Sequence, residues 1–220
     1  MEKIGITTTV PVEILFAAGY QPTDLNNLFI TADDYAKYIE LAEKDGFPKS
    51  SCAWIKGMYG ACLENNINKV VSVVEGDCSD TEALNEVLQA QGLTTYPFAY
   101  PYQHDLKSVK AAIDDFRELF AVNLDEVEEM RAKLNQVRAL ATEIDRLTWQ
   151  ENKATGFENH LYQINCSDFT GNIDAYTEEL KAKIDEIKAR EVVEKDLRLG
   201  YIGVPPMTAD IYEYVTDFSA

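Results

Sequence analysis

Positive charge is scarce in this chain. Twenty Lys and Arg stand against 38 Asp and Glu, a formal charge of −18. Such a surface repels phosphate backbones and anionic membranes, so neither nucleic acid nor a membrane is an expected partner. Long apolar runs are missing as well. No stretch of about 18 apolar residues occurs, so no spanning helix is expected. The opening MEKIGITTTVPVE has no basic region followed by a long apolar one. No signal peptide is expected there, and a cytoplasmic location is. Histidine is nearly absent: His104 and His160 each lack a partner at i, i+4, which argues against a histidine metal pair. Cysteine is sparse, at Cys52, Cys62, Cys78 and Cys166. The spacing fits no zinc ribbon, zinc finger or consecutive ferredoxin run, and a disulfide framework is not expected in a chain of this length. What the chain does have is apolar mass. Hydrophobic residues make up 46% of 220, enough for a substantial core.

Through residue 104 the pattern alternates strand and helix. KIGITTT reads as a short strand. VPVEILFAAG reads as a helix, with Pro11 in its first turn and Gly19 past its end. DDYAKYIELAEKDG is a second helix, with Asp33 and Asp34 at its positive end. SSCAWIKGMYGACLENN is a third, with Ser50 and Ser51 as caps. KVVSVVEG, with its continuous valines, predicts a fully buried strand. SDTEALNEVLQAQG follows as a helix, with Ser79 and Glu82 at capping-box spacing. LTTYPFAYP is a further strand, interrupted by Pro97. This alternation predicts an α/β fold with a doubly wound, mostly parallel Rossmann-like sheet.

From residue 105 the pattern changes to long helices. DLKSVKAAIDDFRELFA is one. The next, of nearly thirty residues, carries Val127, Met130, Leu134, Val137, Leu140, Ile144 and Leu147 as one apolar stripe. IDAYTEELKAKIDEIKARE is another amphipathic helix. These helices, 105–195, are expected to pack on the first domain or on a partner. The end then repeats the beginning. Arg198, Gly200, Val204 and Pro205 in RLGYIGVPP take the places of Lys3, Gly5, Val10 and Pro11, which predicts the first strand and helix of a second, incomplete α/β domain over 196–220.

In a doubly wound sheet, ligands bind beyond the carboxyl ends of the strands. Cys78 stands where the valine strand ends and the next helix opens, just after Gly76 and Asp77. Cys52 likewise opens a helix. Positive potential at a helix start favours a thiolate, the form that binds iron or zinc. Two cysteines are too few for a complete iron–sulfur site. Cys62, about three turns inside its helix among Met58, Tyr59, Ala61 and Leu63, reads as a packing residue. Cys166, in LYQINCSDFTGN, reads as a structural thiol.

The segments TTTVPVEILFAAGYQP, SCAWIKGMYGACLENNINKVVSVVEGDCSDTEALNEVLQ, YPFAYP and RLGYIGVPP together resemble the 2-hydroxyacyl-CoA dehydratase / benzoyl-CoA reductase subunit family. That family includes the 2-hydroxyglutaryl-CoA dehydratase D-component and the double-cubane-cluster proteins. The resemblance runs in order along essentially the whole chain, and C-A-W-I-K-G with G-D-C-S is its specific part. It implies an iron–sulfur subunit. In the family three cysteines hold a [4Fe-4S] cluster, or half of a double-cubane cluster. Two of them match Cys52 and Cys78; the third normally lies in a second α/β domain that this sequence lacks. The chain therefore resembles the N-terminal part of a family member.

The resemblance also implies reductive chemistry. An ATP-dependent iron–sulfur activator passes one low-potential electron, and in dehydratases this makes a ketyl radical from an acyl-CoA thioester before hydroxide leaves. Expected partners are that activator, an identical or related subunit forming a dimer, and an acyl-CoA substrate. Three further residues are candidates near the sheet edge: Glu13 as acid or base, Lys56 to offset cluster charge, and Asp77 as a cap. Two other readings stay open. One is a cofactor-free α/β scaffold; the other is a zinc protein using Cys52, Cys78 and a histidine.

Overall fold

A computed structural model of the chain describes residues 1–194, 197–206 and 210–218. They divide into two units, Met1–Ala132 and Lys133–Ala220. In the first unit the elements run β1 (Glu2–Ile6), α1 (Val12–Ala17), β2 (Tyr20–Asp24), α2 (Leu25–Ile30), α3 (Ala36–Lys44), α4 (Ala53–Glu64), β3 (Lys69–Glu75), α5 (Ser79–Ala90), β4 (Thr94–Ala99) and α6 (Leu106–Leu119). A long helix, α7 (Leu124–Trp149), crosses from the first unit into the second. The four strands are all parallel, in the order β2-β1-β3-β4. The mixed α/β, Rossmann-like fold expected from the alternation is the one found. The valine run of β3 is buried on both faces, with Val70, Val71 and Val73 fully inaccessible.

The order of strands explains which helix covers which face. The chain moves one way from β1 to β2 and the other way from β3 to β4, so right-handed crossovers put α1 and α5 on opposite faces. Val70 faces α4 and α5 in a core of Ile55, Met58, Tyr59, Cys62, Leu84 and Leu88. Each fully buried aliphatic side chain there stabilises the fold by about 1.5–3 kcal/mol. Ile6 pairs with Val71 and points to the opposite face, where Phe98 of β4 meets Phe116 of α6 with ring centroids 5.0 Å apart. On α4, Gly60 allows a close crossing: a Cβ there would lie 2.4 Å from the backbone oxygen of Tyr38 on α3. The reversal of direction falls between β1 and β3, and a ligand crevice belongs at the carboxyl ends of those two strands.

β2 is an element the sequence pattern did not reveal. It is five residues long, YQPTD, and carries Pro22. β4, at the other side of the sheet, carries Pro97. The amide of Thr94 donates to the carbonyl of Asn68 and that of Tyr100 to the carbonyl of Glu75. Even-numbered residues of β4 therefore face β3, and the N–H that Pro97 lacks would have pointed to the open side. Proline at an edge removes a donor that a further strand would need. The strand thus runs on through Pro97 rather than being broken by it. Replacing Pro97 with Val is expected to leave the circular dichroism unchanged and to raise self-association on gel filtration; a monomer–oligomer balance equal to wild type would show that the edge is protected by other means.

The second unit holds the rest of α7, then α8 (Gly156–Ile164), α9 (Ile173–Lys188) and α10 (Asp210–Phe218). The expected apolar stripe of α7 is present, with Leu134, Val137, Ile144 and Leu147 buried; Ala141 takes the place expected for Leu140. Opposite charges gather around Glu158 and Glu143. Arg190 donates to both oxygens of Glu158 at 2.7 and 2.8 Å. The strand expected at 198–204 does not form. Residues 197–206 have no regular secondary structure and expose Leu199, Ile202 and Val204. A strand is stable only when its amides have a partner, and among the described residues these have none in a sheet. The helix expected after it begins at Asp210, while 207–209 lie outside the described residues.

The ion pairs of this unit carry a pH dependence. Hydrogen bonds from Arg190 and Thr155 hold the Glu158 carboxyl at about 2, against an ordinary 4.5, and Arg146 and Lys188 do the same for Glu143. A carboxyl lowered by folding adds stability above its ordinary pKa, and the addition is lost as pH falls through the folded value. The helices of 133–220 are therefore expected to lose stability between pH 4.5 and about 2. In a circular-dichroism acid titration, Arg190→Met should move the unfolding midpoint upward; an unmoved midpoint would mean that solvent screens the pair.

Candidate functional site

α4 and α5 lie side by side on one face of the sheet, and both begin at its carboxyl edge. Their N-cap residues are Cys52 and Cys78, and both thiols are exposed. Neither side chain caps its helix with a hydrogen bond. The caps expected from Ser50, Ser51, Asp77 and Ser79 are not made, because the turn to helix falls on the cysteine in each case. Other long helices of the chain end differently. Asp105 accepts from Ser108 N–H at the start of α6, Asn123 from Glu126 N–H at α7, and Asn172 from Ala175 N–H at α9. Sulfur is a weak acceptor, so the first turns of α4 and α5 have no side-chain cap beside their thiols, although Thr81 N–H of α5 donates to the Cys78 carbonyl at 3.0 Å.

Both cysteine turns are fastened to the same place, the segment Thr7–Thr9 that leaves β1. Thr7 is buried; its amide donates to the carbonyl of Val71 and its hydroxyl accepts from Val73 N–H at 3.0 Å, which locks the segment to β3. On the Cys52 side, Trp54 Nε1 donates to Asn26 Oδ1 at 2.5 Å, and Asn26 Nδ2 donates to the Thr7 carbonyl at 2.9 Å. Asp24, the N-cap of α2, accepts from the Asn26 amide and side chain, both at 2.9 Å. On the Cys78 side, Tyr100 Oη donates to the Thr9 carbonyl at 2.6 Å. The body of Tyr100 lies against Gly76, where a Cβ would be 2.6 Å from Tyr100 Cβ, and Gly76 has φ +83°. Glycine is required there on both counts.

The other candidates are placed as follows. Lys56 is one turn beyond Cys52, and its side chain is 4% exposed. Its ammonium donates to Glu43 Oε1 at 2.7 Å and to the Lys49 carbonyl at 3.2 Å, so it also holds the loop that leads to Cys52. Glu43 is held below the usual carboxylate range by the hydrogen bond from Lys56. Glu13 stands in the first turn of α1, after the carboxyl end of β1. Arg131, kept charged chiefly by its hydrogen bond to Glu128, also feels the Glu13 carboxylate. Cys62 is fully buried in the α4–α5 core, and burial pushes its thiol up to about 12, which makes it inert. Cys166, in the second unit, donates to the Tyr162 carbonyl at 3.5 Å, and burial raises its pKa. His104 is exposed, and His160 lies against the Tyr212 ring. Among the described residues no three His, Cys, Asp or Glu gather to hold a metal ion, so the zinc set of Cys52, Cys78 and a histidine is not assembled. Asn26, Trp54 and Tyr100 were not singled out in the sequence. Trp54 sits within C-A-W-I-K-G and Tyr100 within YPFAYP, but only the fold shows that both reach Thr7–Thr9.

A four-stranded parallel sheet whose order reverses between β1 and β3, with helices packed along it, defines an α/β protein of Rossmann-like type, and two exposed thiols stand at adjacent helix starts on its carboxyl edge. The match to 2-hydroxyglutaryl-CoA dehydratase, D-component, over residues 7–220 then places the chain: it belongs to that family. Comparison with curated proteins finds no match. No helix among the described residues is long and apolar enough to cross a membrane.

The Cys78 turn yields a direct test. Gly92 has φ +86° with open space around it, so Gly92→Ala should cost about 1–2 kcal/mol of backbone strain alone. Gly76→Ala should cost more in urea unfolding, because it must also displace Tyr100. Equal losses for the two variants would mean that Tyr100 does not hold the turn.

Proposed function

We propose that this chain is an iron–sulfur subunit of a 2-hydroxyacyl-CoA dehydratase or reductase, with Cys52 and Cys78 as ligands of a [4Fe-4S] cluster or of half a double-cubane cluster. Family membership supports the reaction class. The observation that carries the ligand assignment is the pair of cysteines at helix caps where the other long helices use Asp or Asn. The donor chemistry fits: thiolates bind iron, and open N–H groups at a helix start favour the negative charge of a sulfide-rich group. Two thiols do not complete such a site, and the described residues supply no third ligand. The remaining ligands would come from an identical or related partner subunit or from further polypeptide.

When bound, the cluster supplies one-electron transfer at low potential. The chain's own residues do the rest. Cys52 and Cys78 bind; the first turns of α4 and α5 offset charge; Lys56, through Glu43 and the Lys49 carbonyl, keeps the Cys52 loop closed. Glu13 is the carboxylate placed to hold or release a proton at the carboxyl end of β1. The electron source would be an ATP-dependent iron–sulfur activator, the substrate an acyl-CoA thioester and the location the cytoplasm. The lack of a third ligand among the described residues favours a second reading, a cofactor-free scaffold of the same fold.

Iron and acid-labile sulfide per chain, after anaerobic purification and reconstitution, separate the two. Wild type should carry both, with absorbance near 400 nm typical of such clusters (roughly, by chromophore class). Cys52→Ala and Cys78→Ala should lose both, whereas Cys62→Ala and Cys166→Ala keep them. Wild type without iron or sulfide would leave the scaffold reading.

A further inference from the structure

The two cysteine turns come from separate parts of the chain, yet both are tied to carbonyls of the same three-residue segment, Thr7–Thr9: the Cys52 turn by two hydrogen bonds in series through Asn26, the Cys78 turn by Tyr100, which packs on Gly76 and donates to Thr9. We propose that Asn26 and Tyr100 are positioning residues that set the spacing of Cys52 and Cys78, Asn26 through Trp54 and Tyr100 through Gly76. The inference rests on reading those two thiols as ligands; the geometry behind it does not.

Three features support it. First, the anchor starts from a fixed point: Thr7 is buried and bonded to β3 through both its amide and its hydroxyl, and Thr9, which accepts from Tyr100, lies two residues on. Second, each tether reaches a residue two positions from a cysteine, Trp54 after Cys52 and Gly76 before Cys78, so little chain lies between the anchor and the thiol. Third, each tether has a further contact that keeps it in place. The Trp54 ring meets Phe29 edge to face with centroids 5.3 Å apart, and the Tyr100 ring meets Phe98 at 5.0 Å. A thiol pair that must meet one rigid group needs such support, since loose ligands bind poorly. The hydrogen bonds of the tethers run to Thr7, Asn26 and Thr9 rather than to a thiol, so these residues act through position.

The test uses the intact chain without iron. Spin labels are placed on Cys52 and Cys78 in a Cys166→Ser background, with Cys62 protected by burial, and their separation is read by dipolar electron paramagnetic resonance. Tyr100→Phe removes the hydroxyl and keeps the ring on Gly76. Asn26→Ala removes the link to Thr7. Gln89→Ala, which loses only the exposed bond from α5 to Thr95, is the control. Wild type and the control should give one narrow distribution. Tyr100→Phe should retain the melting temperature and show an about fivefold larger population at displaced separations, the equivalent of about 1 kcal/mol. A distribution in Tyr100→Phe identical to wild type, or one already broad in wild type, overturns the proposal even if Asn26→Ala fails to fold. The labels occupy the two thiols and need no cluster, so an iron-free wild type, measured separately on unlabelled protein, would sink the proposed function and leave this inference standing. If a cluster does assemble, its paramagnetic line shape should change in Tyr100→Phe at unchanged iron content.

Discussion

The carboxyl edge of this protein hangs on two backbone oxygens, those of Thr7 and Thr9. β1 is an inner strand bonded on both sides, and Thr7, just past its end, is bonded to β3 as well. Asn26 and Tyr100 each donate to it, and through them the two cysteine turns take their places. One such hydrogen bond adds only about 1 kcal/mol net to stability. Its importance is geometric. Without the link from Asn26, the Trp54 indole N–H would lack its protein acceptor, and without Tyr100 the turn at Gly76 would lose the surface it is shaped against. Local position, rather than overall stability, is what these contacts set.

The electrostatics act on two scales. Across the whole surface the charge is −18, which disfavours anionic partners at a distance. At the helix starts of α4 and α5 the open N–H groups present positive potential over one turn. Distant surface charge is screened within about 10 Å at moderate salt, while a group lying against the helix start is not. An anionic cofactor can therefore be held by an acidic protein, provided that it sits against those first turns. Lys56 belongs to the same picture in a changed role. Its ammonium is buried and bonded to Glu43, so it acts on the Cys52 loop through a hydrogen bond to the Lys49 carbonyl.

Much of the fold could be read from the chain because its signals are local. The valine run of β3, the 3- and 4-residue steps of α7 and the proline and glycine flanking α1 depend on neighbours in sequence. β2 escaped because YQPTD has one proline, three polar residues and no apolar run; it is a strand only because β1 offers it partners. The strand expected at 198–204 failed for the converse reason: its apolar pattern is clear, but no described strand pairs with it. The cysteines were legible as a pair at strand and helix junctions. Their support was not. Asn26 to Trp54 spans 28 residues and Tyr100 to Thr9 spans 91, and no periodicity announces a bond at those distances. The caps misled for a chemical reason. Serines adjoin both helices, and serine is the better cap, yet the cap position itself carries a cysteine.

That substitution is informative because capping is cheap to improve. A serine, aspartate or asparagine at an N-cap typically stabilises a helix by about 1 kcal/mol over a residue that cannot cap. Asp105, Asn123 and Asn172 supply that contact at α6, α7 and α9. α4 and α5 forgo it at adjacent positions on one edge. Meanwhile the two sides of the same sheet each carry a proline that discourages further pairing. Sideways growth is hindered, and the carboxyl edge is left with open amides and exposed thiols. α1 and α3 also begin without a side-chain cap, at Pro11 and Tyr35; what sets α4 and α5 apart is that their uncapped starts carry exposed thiols on one edge. On the proposed cluster reading, the two-thiol set and the uncapped helix starts together require a group completed by a second contributor.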